Sequence, residues 1–135
     1  MKSASGVYAG VFVRGPGKVT VLVFDEAKEL PMWKFPGGGG QYLSRENRWE
    51  TPEETASREL FEKTGISAKA LKLIEGVNKG SHWWYLFEAV VDNFDGLLKR
   101  GNDGEYVARF PEAQLWGMPN FLKPHKEVLQ EFHLI

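Results

Sequence analysis

The most informative stretch of the chain reads Arg58-Glu59-Leu60-Phe61-Glu62-Lys63-Thr64-Gly65-Ile66. If this stretch is helical, Glu59, Glu62 and position 63 share one face, because residues three and four apart are neighbours on a helix. Two carboxylates this close repel each other unless a cation lies between them. Mg²⁺ is commonly held by one or two carboxylates together with substrate phosphates. The stretch therefore predicts a metal site for diphosphate chemistry, and the simpler alternative is a solvated helix face.

A glycine run upstream decides between these interpretations. It lies in Phe35-Pro36-Gly37-Gly38-Gly39-Gly40, ahead of Glu50 and of the stretch above. Glycine lets the backbone approach a phosphate closely or offer a carbonyl to a metal ion. Arg58 can orient a neighbouring carboxylate through a charge-assisted hydrogen bond. Together, the glycines, Glu50 and the helical acids favour a functional site.

Composition limits the class of protein. The chain has 135 residues, a formal net charge of −1, 42% hydrophobic residues and no cysteine. This length predicts one domain over residues 1–135. The charge gives no basic field, so no nucleic-acid surface is obvious. The lack of cysteine excludes disulfides, thiolate zinc sites and cysteine nucleophiles. No apolar run reaches membrane-spanning length, and we expect a soluble, cytoplasmic protein without a membrane partner.

The helix that carries the acids has clear start and stop signals. Thr51 is a predicted N-cap, Pro52 suits the first helical position, and Glu54 completes a capping box. Gly65 is suited to end the helix in a left-handed conformation. A narrow stripe along the helix is predicted to pack on a sheet and consists of Ala56, Leu60 and Thr64.

The remaining pattern is dominated by strands. Apolar or alternating segments predict strands at residues 7–13, 19–24, 71–75, 83–91 and 105–110. The first two strands could form a hairpin. Residues 32–35 are predicted to be extended, residues 37–49 to form a loop, and residues 123–132 to form a C-terminal helix. This order predicts a mixed α/β or α+β sandwich.

These residues resemble the signature of the Nudix hydrolase family (MutT-like), G-x5-E-x7-R-E-U-x-E-E-x-G-U, in which U is a bulky aliphatic residue. The positions that match in register are Glu50, Arg58, Glu59, Leu60, Glu62, Gly65 and Ile66. The resemblance implies an α/β/α sandwich with a mixed sheet, a helix carrying the motif and a C-terminal helix. It also implies hydrolysis of a nucleoside diphosphate linked to another group, with Mg²⁺ or Mn²⁺ as cofactor.

The resemblance assigns roles to particular residues. Glu59, Glu62 and the Gly37 carbonyl would be metal ligands. The catalytic set would be Arg58, which orients the glutamates, with Glu59, Glu62 and Glu105. Glu105 matches a position where some members place an extra ligand or base, and an exposed loop acid is its alternative. Substrate contacts would come from Gly37, Gly38, Gly39 and Lys63, and the partner would be a nucleotide or another nucleoside diphosphate derivative.

The glycine that opens the signature is displaced. Ser44 stands where the signature has glycine, and the glycine run ends at Gly40. We interpret the difference as an insertion within residues 41–49 that lengthens the loop beside the phosphates. Its Arg45, Arg48 and Trp49 either contact substrate or belong to an ordinary surface loop.

Lys63 reverses the charge of the signature's second paired acid. Two unit charges about 4 Å apart near a protein surface interact by roughly 4 kcal/mol, and a divalent ion roughly doubles this energy. Lys63 could repel metal and pair with Glu59, or it could extend away from the site on its long stem. It could also contact a substrate phosphate. The sequence leaves these three alternatives open.

Side chains outside the signature have less specific interpretations. Trp33, Trp83, Trp84 and Tyr85 are predicted core residues rather than base-stacking residues. Lys79 and Arg109 are candidate phosphate contacts, and residues 124–127 are interpreted as a helix start.

Three functional hypotheses follow. The first is a metal-dependent hydrolase of nucleotide diphosphate bonds. The second is a binding or regulatory module of the same fold that has lost catalysis through Lys63. The third is an unrelated α/β domain that carries the motif by chance.

Overall fold

The computed structural model describes residues 6–102 and 104–121, together with His125, Glu127 and Gln130. The described elements are β1 (Val7–Arg14), β2 (Val19–Phe24), β3 (Trp33–Lys34), β4 (Gly37–Gly39), β5 (Tyr42–Leu43), β6 (Arg48–Trp49), α1 (Pro52–Thr64), β7 (Lys72–Asn78), β8 (Trp83–Val90), β9 (Tyr106–Pro111) and a 3-10 helix (Glu112–Gly117).

The strands form two main sheets. The first has the order β4-β1-β8-β7, in which β1 and β8 are parallel and the other pairs are antiparallel. The second has the order β3-β2-β9 and is antiparallel. A mixed sheet beside an antiparallel one, with few helices among the described residues, confirms the predicted α+β class.

The prediction that β1 and β2 could form a hairpin was wrong. The two strands lie in different sheets, joined only by a bridge between Gly15 and Val19 beside the turn. β1 pairs along its whole length with β8, and its first half pairs with β4 on the other edge. β2 pairs instead with β3 and β9 in the second sheet.

The ends of α1 confirm the predicted caps. The Thr51 side chain accepts a hydrogen bond from the Glu54 N–H, and the Glu54 side chain accepts one from the Thr51 N–H. Gly65 has φ of 81° and donates its N–H to the Phe61 carbonyl. The predicted stripe is buried at all three positions, because α1 packs across β1 and β4.

Two apolar clusters lie on opposite faces of the first sheet. The cluster beneath α1 contains Ala9, Val11, Val13, Val21, Ala56, Leu60, Ile66, Phe87 and Ala89. The other contains Phe12, Leu22, Phe35, Trp84, Leu86, Leu115, Met118 and Phe121. Alternate residues of β1 enter opposite clusters, as expected for a strand with period two.

The prediction of a loop over residues 37–49 was wrong. Gly37–Gly39 form strand β4. β5 and β6 form a small hairpin in which Tyr42 packs against Trp49, with ring centroids 5.4 Å apart. Asn47 takes a positive φ of 53° in the turn, a conformation that asparagine tolerates better than most residues. Alternating sequence signals were too short here to indicate strands of two or three residues.

Other predicted boundaries shift slightly. The strand predicted at residues 71–75 runs from Lys72 to Asn78, and β9 begins at Tyr106, so Glu105 lies just before the strand. The helix predicted at residues 123–132 lies largely outside the described residues, although His125, Glu127 and Gln130 are helical. In the part of the chain that the structure describes, no helix is long and apolar enough to cross a membrane.

His125 belongs to the core. Its ring stacks on Phe35 and Trp84, with centroid distances of 4.8 and 5.4 Å. Its Nδ1 accepts a hydrogen bond from the Phe35 N–H at 3.2 Å. Burial, aided by the charges of Lys34 and Lys79, lowers its pKa to about 3. His125 is therefore neutral at pH 7 and holds the backbone that leads into the glycine strand.

Candidate functional site

Arg58 links three glutamates at the end of β4. Its guanidinium donates to Glu50 at 2.8 and 3.0 Å, to Glu59 at 2.8 Å and to Glu62 at 3.0 Å. It also donates to the Gly39 carbonyl at 2.8 Å. The spacing on α1 brings Glu59 and Glu62 to the same cation, while the strand end supplies the carbonyl.

Glu50 is an anchor rather than part of the open site. One oxygen accepts hydrogen bonds from the Gln41 N–H at 2.8 Å and the Thr55 hydroxyl at 3.2 Å, and both oxygens face Arg58. Burial alone would raise the pKa of Glu50, but the hydrogen bonds from Arg58 and Gln41 hold it below its ordinary value. Glu50 therefore stays charged at pH 7 and ties the hairpin base to α1.

The glycine strand is close-packed against the motif. A Cβ atom on Gly37 would lie 2.5 Å from the Ala9 carbonyl oxygen, and one on Gly38 would lie 2.5 Å from the Glu59 carboxyl carbon. A Cβ on Gly39 would meet nothing closer than the Val7 carbonyl oxygen at 3.8 Å. Glycine is thus required at position 37 by backbone contact, whereas a methyl group at position 38 would meet the end of the Glu59 side chain, which lies directly against the backbone of Gly38.

We expect Gly38→Ala to displace the Glu59 carboxylate and to lower the free energy of unfolding by about 1 kcal/mol, the lower end of the usual cost of overpacking, because the methyl group meets the end of a flexible side chain. Urea unfolding measures this change. Gly39→Ala is the matched control, since its methyl group fits at ordinary contact distance. Equal effects of the two substitutions would contradict the packing of Glu59 on Gly38.

Lys63 is paired with Glu105. Its ammonium contacts Glu105 Oε1, and the ammonium of Lys34 lies 3.3 Å from Glu105 Oε2. The Glu105 side chain is 4% exposed, whereas those of Lys63 and Lys34 are 16% and 22% exposed. The alternatives from sequence did not include this pair, which joins the end of α1 to the residue before β9.

The segment before β9, residues 98–102, packs against the end of α1. The Asn102 N–H donates to the Glu62 carbonyl at 3.0 Å, and the Leu98 N–H donates to the Thr64 carbonyl at 2.9 Å. A Cβ on Gly101 would lie 2.5 Å from the Lys63 carbonyl oxygen, so the two backbones touch. The segment thereby forms one wall of an open cavity of about 390 Å³ lined by Glu59, Glu62, Lys63 and Asn102.

The Tyr8 side chain lies near the charged groups of Lys63, Glu105 and Glu59. Tyr8 is half-buried, and burial raises its pKa to about 12, with smaller effects from Lys63, Glu105 and Glu59. The hydroxyl is therefore neutral at pH 7 and adds no charge to the site.

The donor set fits a divalent ion only when a ligand supplies further oxygens. Among the described residues, no three acidic or histidine side chains are arranged to hold a metal ion. Glu105 is paired with Lys63, and Arg58 contacts Glu59 and Glu62. Glu59 and Glu62 nevertheless line the cavity, and two carboxylates suit Mg²⁺ when phosphates and water complete its shell.

The structure brings most predicted site residues together. Glu50, Arg58, Glu59, Glu62 and the glycine strand are contiguous, and Lys63 and Glu105 lie beside them.

Several other candidates lie away from the cavity walls. Arg48 bonds to Glu46 and Glu54 at the surface. Lys79 lies over Trp84 and Arg109 over Phe94. Trp84 is in the core as predicted, but Trp83 is 46% exposed at the start of β8, so its prediction as a core residue was wrong.

Sequence reasoning missed Lys34, Asn102 and Tyr8 as neighbours of the site. Lys34 stands in the lead-in to the glycines, where its charge between two aromatic residues was an available signal. Asn102 and Tyr8 had no such signal, because only the folded chain brings the segment before β9 and strand β1 to the end of α1.

Comparison with known proteins agrees with the fold and the motif. A family model described as NUDIX domain matches residues 4–132. A chain from a study of MutT from Aliivibrio salmonicida and Vibrio cholerae superimposes with a TM-score of 0.70 at 19% identity, covering 93% of this chain and 94% of that one. MutT from Methanosarcina mazei Go1 gives 0.72 at 16% identity, covering 95% and 92%. The NUDIX domain of Shewanella oneidensis NrtR, complexed with ADP ribose, gives 0.72 at 17% identity, covering 99% and 89%. Because the family match spans nearly the whole sequence, the chain belongs to the Nudix family.

Proposed function

We propose that this protein hydrolyses the diphosphate bond of a nucleotide derivative bound in the cavity at the end of α1. Nudix proteins are generally pyrophosphohydrolases that act on nucleoside diphosphate derivatives and use divalent metals. The observation that carries the proposal is the convergence of Glu59 and Glu62 on one cavity beside the glycine strand. An adventitious motif would not bring the acids, the glycines and a cavity together.

Each residue has a task in this proposal. Glu59 and Glu62, with the Gly37 carbonyl, would hold Mg²⁺ or Mn²⁺ jointly with the substrate phosphates. A bound ion would supply charge neutralisation at the phosphate oxygens, with water as the nucleophile. Arg58 orients both glutamates through its hydrogen bonds. The Gly38 backbone lies against the Glu59 carboxylate and limits its position at the cavity wall.

We expect Glu62→Gln to reduce divalent-ion-dependent hydrolysis at least about tenfold, because it removes a charged ligand while keeping the side chain's size. The assay measures release of phosphate or pyrophosphate from nucleoside triphosphates, nucleotide sugars, dinucleoside polyphosphates and ADP-ribose, with Mg²⁺ or Mn²⁺. Glu53→Gln is the matched control, since Glu53 is exposed on the first turn of α1. Unchanged turnover in Glu62→Gln would refute the assignment of Glu62 as a metal ligand.

The Lys63–Glu105 pair favours a second candidate, a domain that binds nucleotides without turning them over. Here an ammonium stands at the motif position that the family signature gives to an acid, and it neutralises Glu105. Nucleotide binding by the wild-type protein in Mg²⁺, with no product release across the same panel, would support this candidate over hydrolysis.

A further inference from the structure

We propose that a second cavity, at the end of the glycine strand, binds an uncharged ring carried by the diphosphate ligand, and that His82 forms a hydrogen bond to that ring. The ring is a sugar or a nucleoside base. This inference rests on the proposed binding of a nucleotide derivative in the first cavity. It gives the protein a specificity-determining residue outside the motif helix.

The second cavity is open and has a volume of about 280 Å³. Its lining consists of Gly6, Val7, Tyr8, Gly39, Gly40, Ser81 and His82. This described lining contains no lysine, arginine or carboxylate, so it does not have the fixed cations that a phosphate needs. Pockets for drug-sized ligands begin at roughly 300 Å³. The volume therefore suits one uncharged ring rather than a complete nucleotide.

Strand β4 connects the second cavity to the first. The backbone of Gly38 lies against the carboxylate of Glu59, which lines the first cavity, and the next two glycines line the second. Tyr8 pairs with Gly39 across the sheet, lines the second cavity and lies near the charged groups of Glu59 and Lys63 at the first. A ligand whose diphosphate lies beside Glu59 therefore has its attached ring within reach of the second cavity.

His82 is suited to bind such a ring. It is half-buried in the turn between β7 and β8, and its Nδ1 lies 2.9 Å from the Ser81 hydroxyl. The turn is fixed by its own hydrogen bonds, from the Lys79 N–H to the His82 carbonyl and from the Gly80 N–H to the Asn78 side chain, both at 2.8 Å. The contact with Ser81 orients the imidazole. Its other nitrogen, Nε2, can then donate to or accept from a sugar hydroxyl or a base edge, according to the tautomer.

The test is calorimetric titration in Mg²⁺ with three ligands of increasing size, namely methylenediphosphonate, α,β-methylene-ADP and α,β-methylene-ADP-ribose. A methylene group replaces the oxygen between the two phosphorus atoms, so that this linkage is not hydrolysed during the titration. The affinity of wild-type protein should rise at the step that adds the ring bound in the second cavity. His82→Ala should reduce that gain about tenfold, which corresponds to about 1.4 kcal/mol.

The three ligands distinguish the two sources of the ring. A loss that begins with α,β-methylene-ADP assigns the cavity to the nucleoside, and a loss seen only with α,β-methylene-ADP-ribose assigns it to the second sugar. His82→Gln keeps a donor and an acceptor and should retain most of the gain. Trp83→Phe is the matched control, since Trp83 is the next residue, is exposed and lies outside the cavity lining.

Nuclear magnetic resonance of isotope-labelled wild-type protein tests the inference even if His82→Ala fails to fold. The ring resonances of His82 should shift when a ring-bearing ligand is added and should not shift with methylenediphosphonate. Three results would overturn the inference: no such shift, no gain in affinity at either step in wild type, or an equal loss with all three ligands in His82→Ala.

Failure of this inference is distinguishable from failure of the proposed hydrolysis. Binding of the methylene-bridged ligands that depends on His82, without turnover of the oxygen-bridged nucleotides in Mg²⁺, would leave the second cavity as a binding site and refute catalysis. Turnover of those nucleotides with equal gains in affinity in wild type and His82→Ala would do the reverse.

Discussion

Lys63→Glu should raise the affinity of the protein for Mn²⁺ about 100-fold. The substitution changes the charge at the cavity wall by two units, and one unit charge about 4 Å from another contributes roughly 4 kcal/mol near a protein surface. Screening by solvent and the repulsion between the new carboxylate and Glu105 consume part of this energy. The new carboxylate would lie at the cavity wall with Glu59 and Glu62, and next to Glu105.

Titration with Mn²⁺ in the absence of nucleotide measures this effect. Lys63→Met separates the loss of a positive charge from the gain of a negative one, and it should show a smaller increase. Lys69→Glu makes the same charge change at an exposed position outside the cavity and should leave Mn²⁺ affinity unchanged. No gain in Lys63→Glu would show that something other than the ammonium limits metal binding.

Arg58→Met should lower the free energy of unfolding by about 3 kcal/mol at pH 7. Removing one partner of a largely buried ion pair leaves the other charge uncompensated, which typically costs 3–5 kcal/mol. The side chain of Glu50 is 6% exposed and that of Glu59 10%, whereas that of Glu62 is 40% exposed and contributes less. Three carboxylates would then face each other without the shared guanidinium.

The stability difference between wild type and Arg58→Met should depend on pH in a definite direction. The pKa of Glu50 is held below its ordinary value of 4.5 in the folded protein. Its stabilising contribution is therefore fully present above about pH 5 and is lost as pH falls through the folded pKa. In the variant, protonation relieves the repulsion among the carboxylates. The difference should shrink as the pH falls below about 5.

Urea unfolding at several pH values measures both effects. Arg48→Met is the matched control, because Arg48 bonds to Glu46 and Glu54 in an exposed arrangement. Exposed pairs contribute little to stability, even though hydrogen bonds from Arg48 lower the pKa of Glu54 to about 2. A loss in Arg58→Met no larger than in Arg48→Met would refute the role of Arg58 as the shared partner of the acids.

Local signals along the chain were sufficient for the motif helix. Thr51, Glu54 and Gly65 specify its ends through hydrogen bonds to residues a few positions away, and these bonds are present as predicted. The relation of Arg58 to Glu59 and Glu62 is likewise local, since helical geometry alone places them together. The α+β class followed from the alternation of apolar residues in the strands.

Those local signals did not predict which strands pair when they lie far apart in the sequence. The failed hairpin between β1 and β2 shows this, because the partner of β1 is β8, far along the chain. The short strands β4, β5 and β6 were also missed, since two or three residues carry too little alternation to indicate a strand.

The sequence by itself determined the family, the motif helix and the presence of a cation at position 63. Only the tertiary structure decided what that cation contacts. Lys63 and Glu105 are 42 positions apart in sequence, and Lys34 comes from a third element. Their contact depends on the segment before β9 closing against α1 and on β3 lying beside β2. The sequence specifies which residues are charged and how far apart they lie along the chain. Which charged residues come into contact depends on how the helices and strands pack.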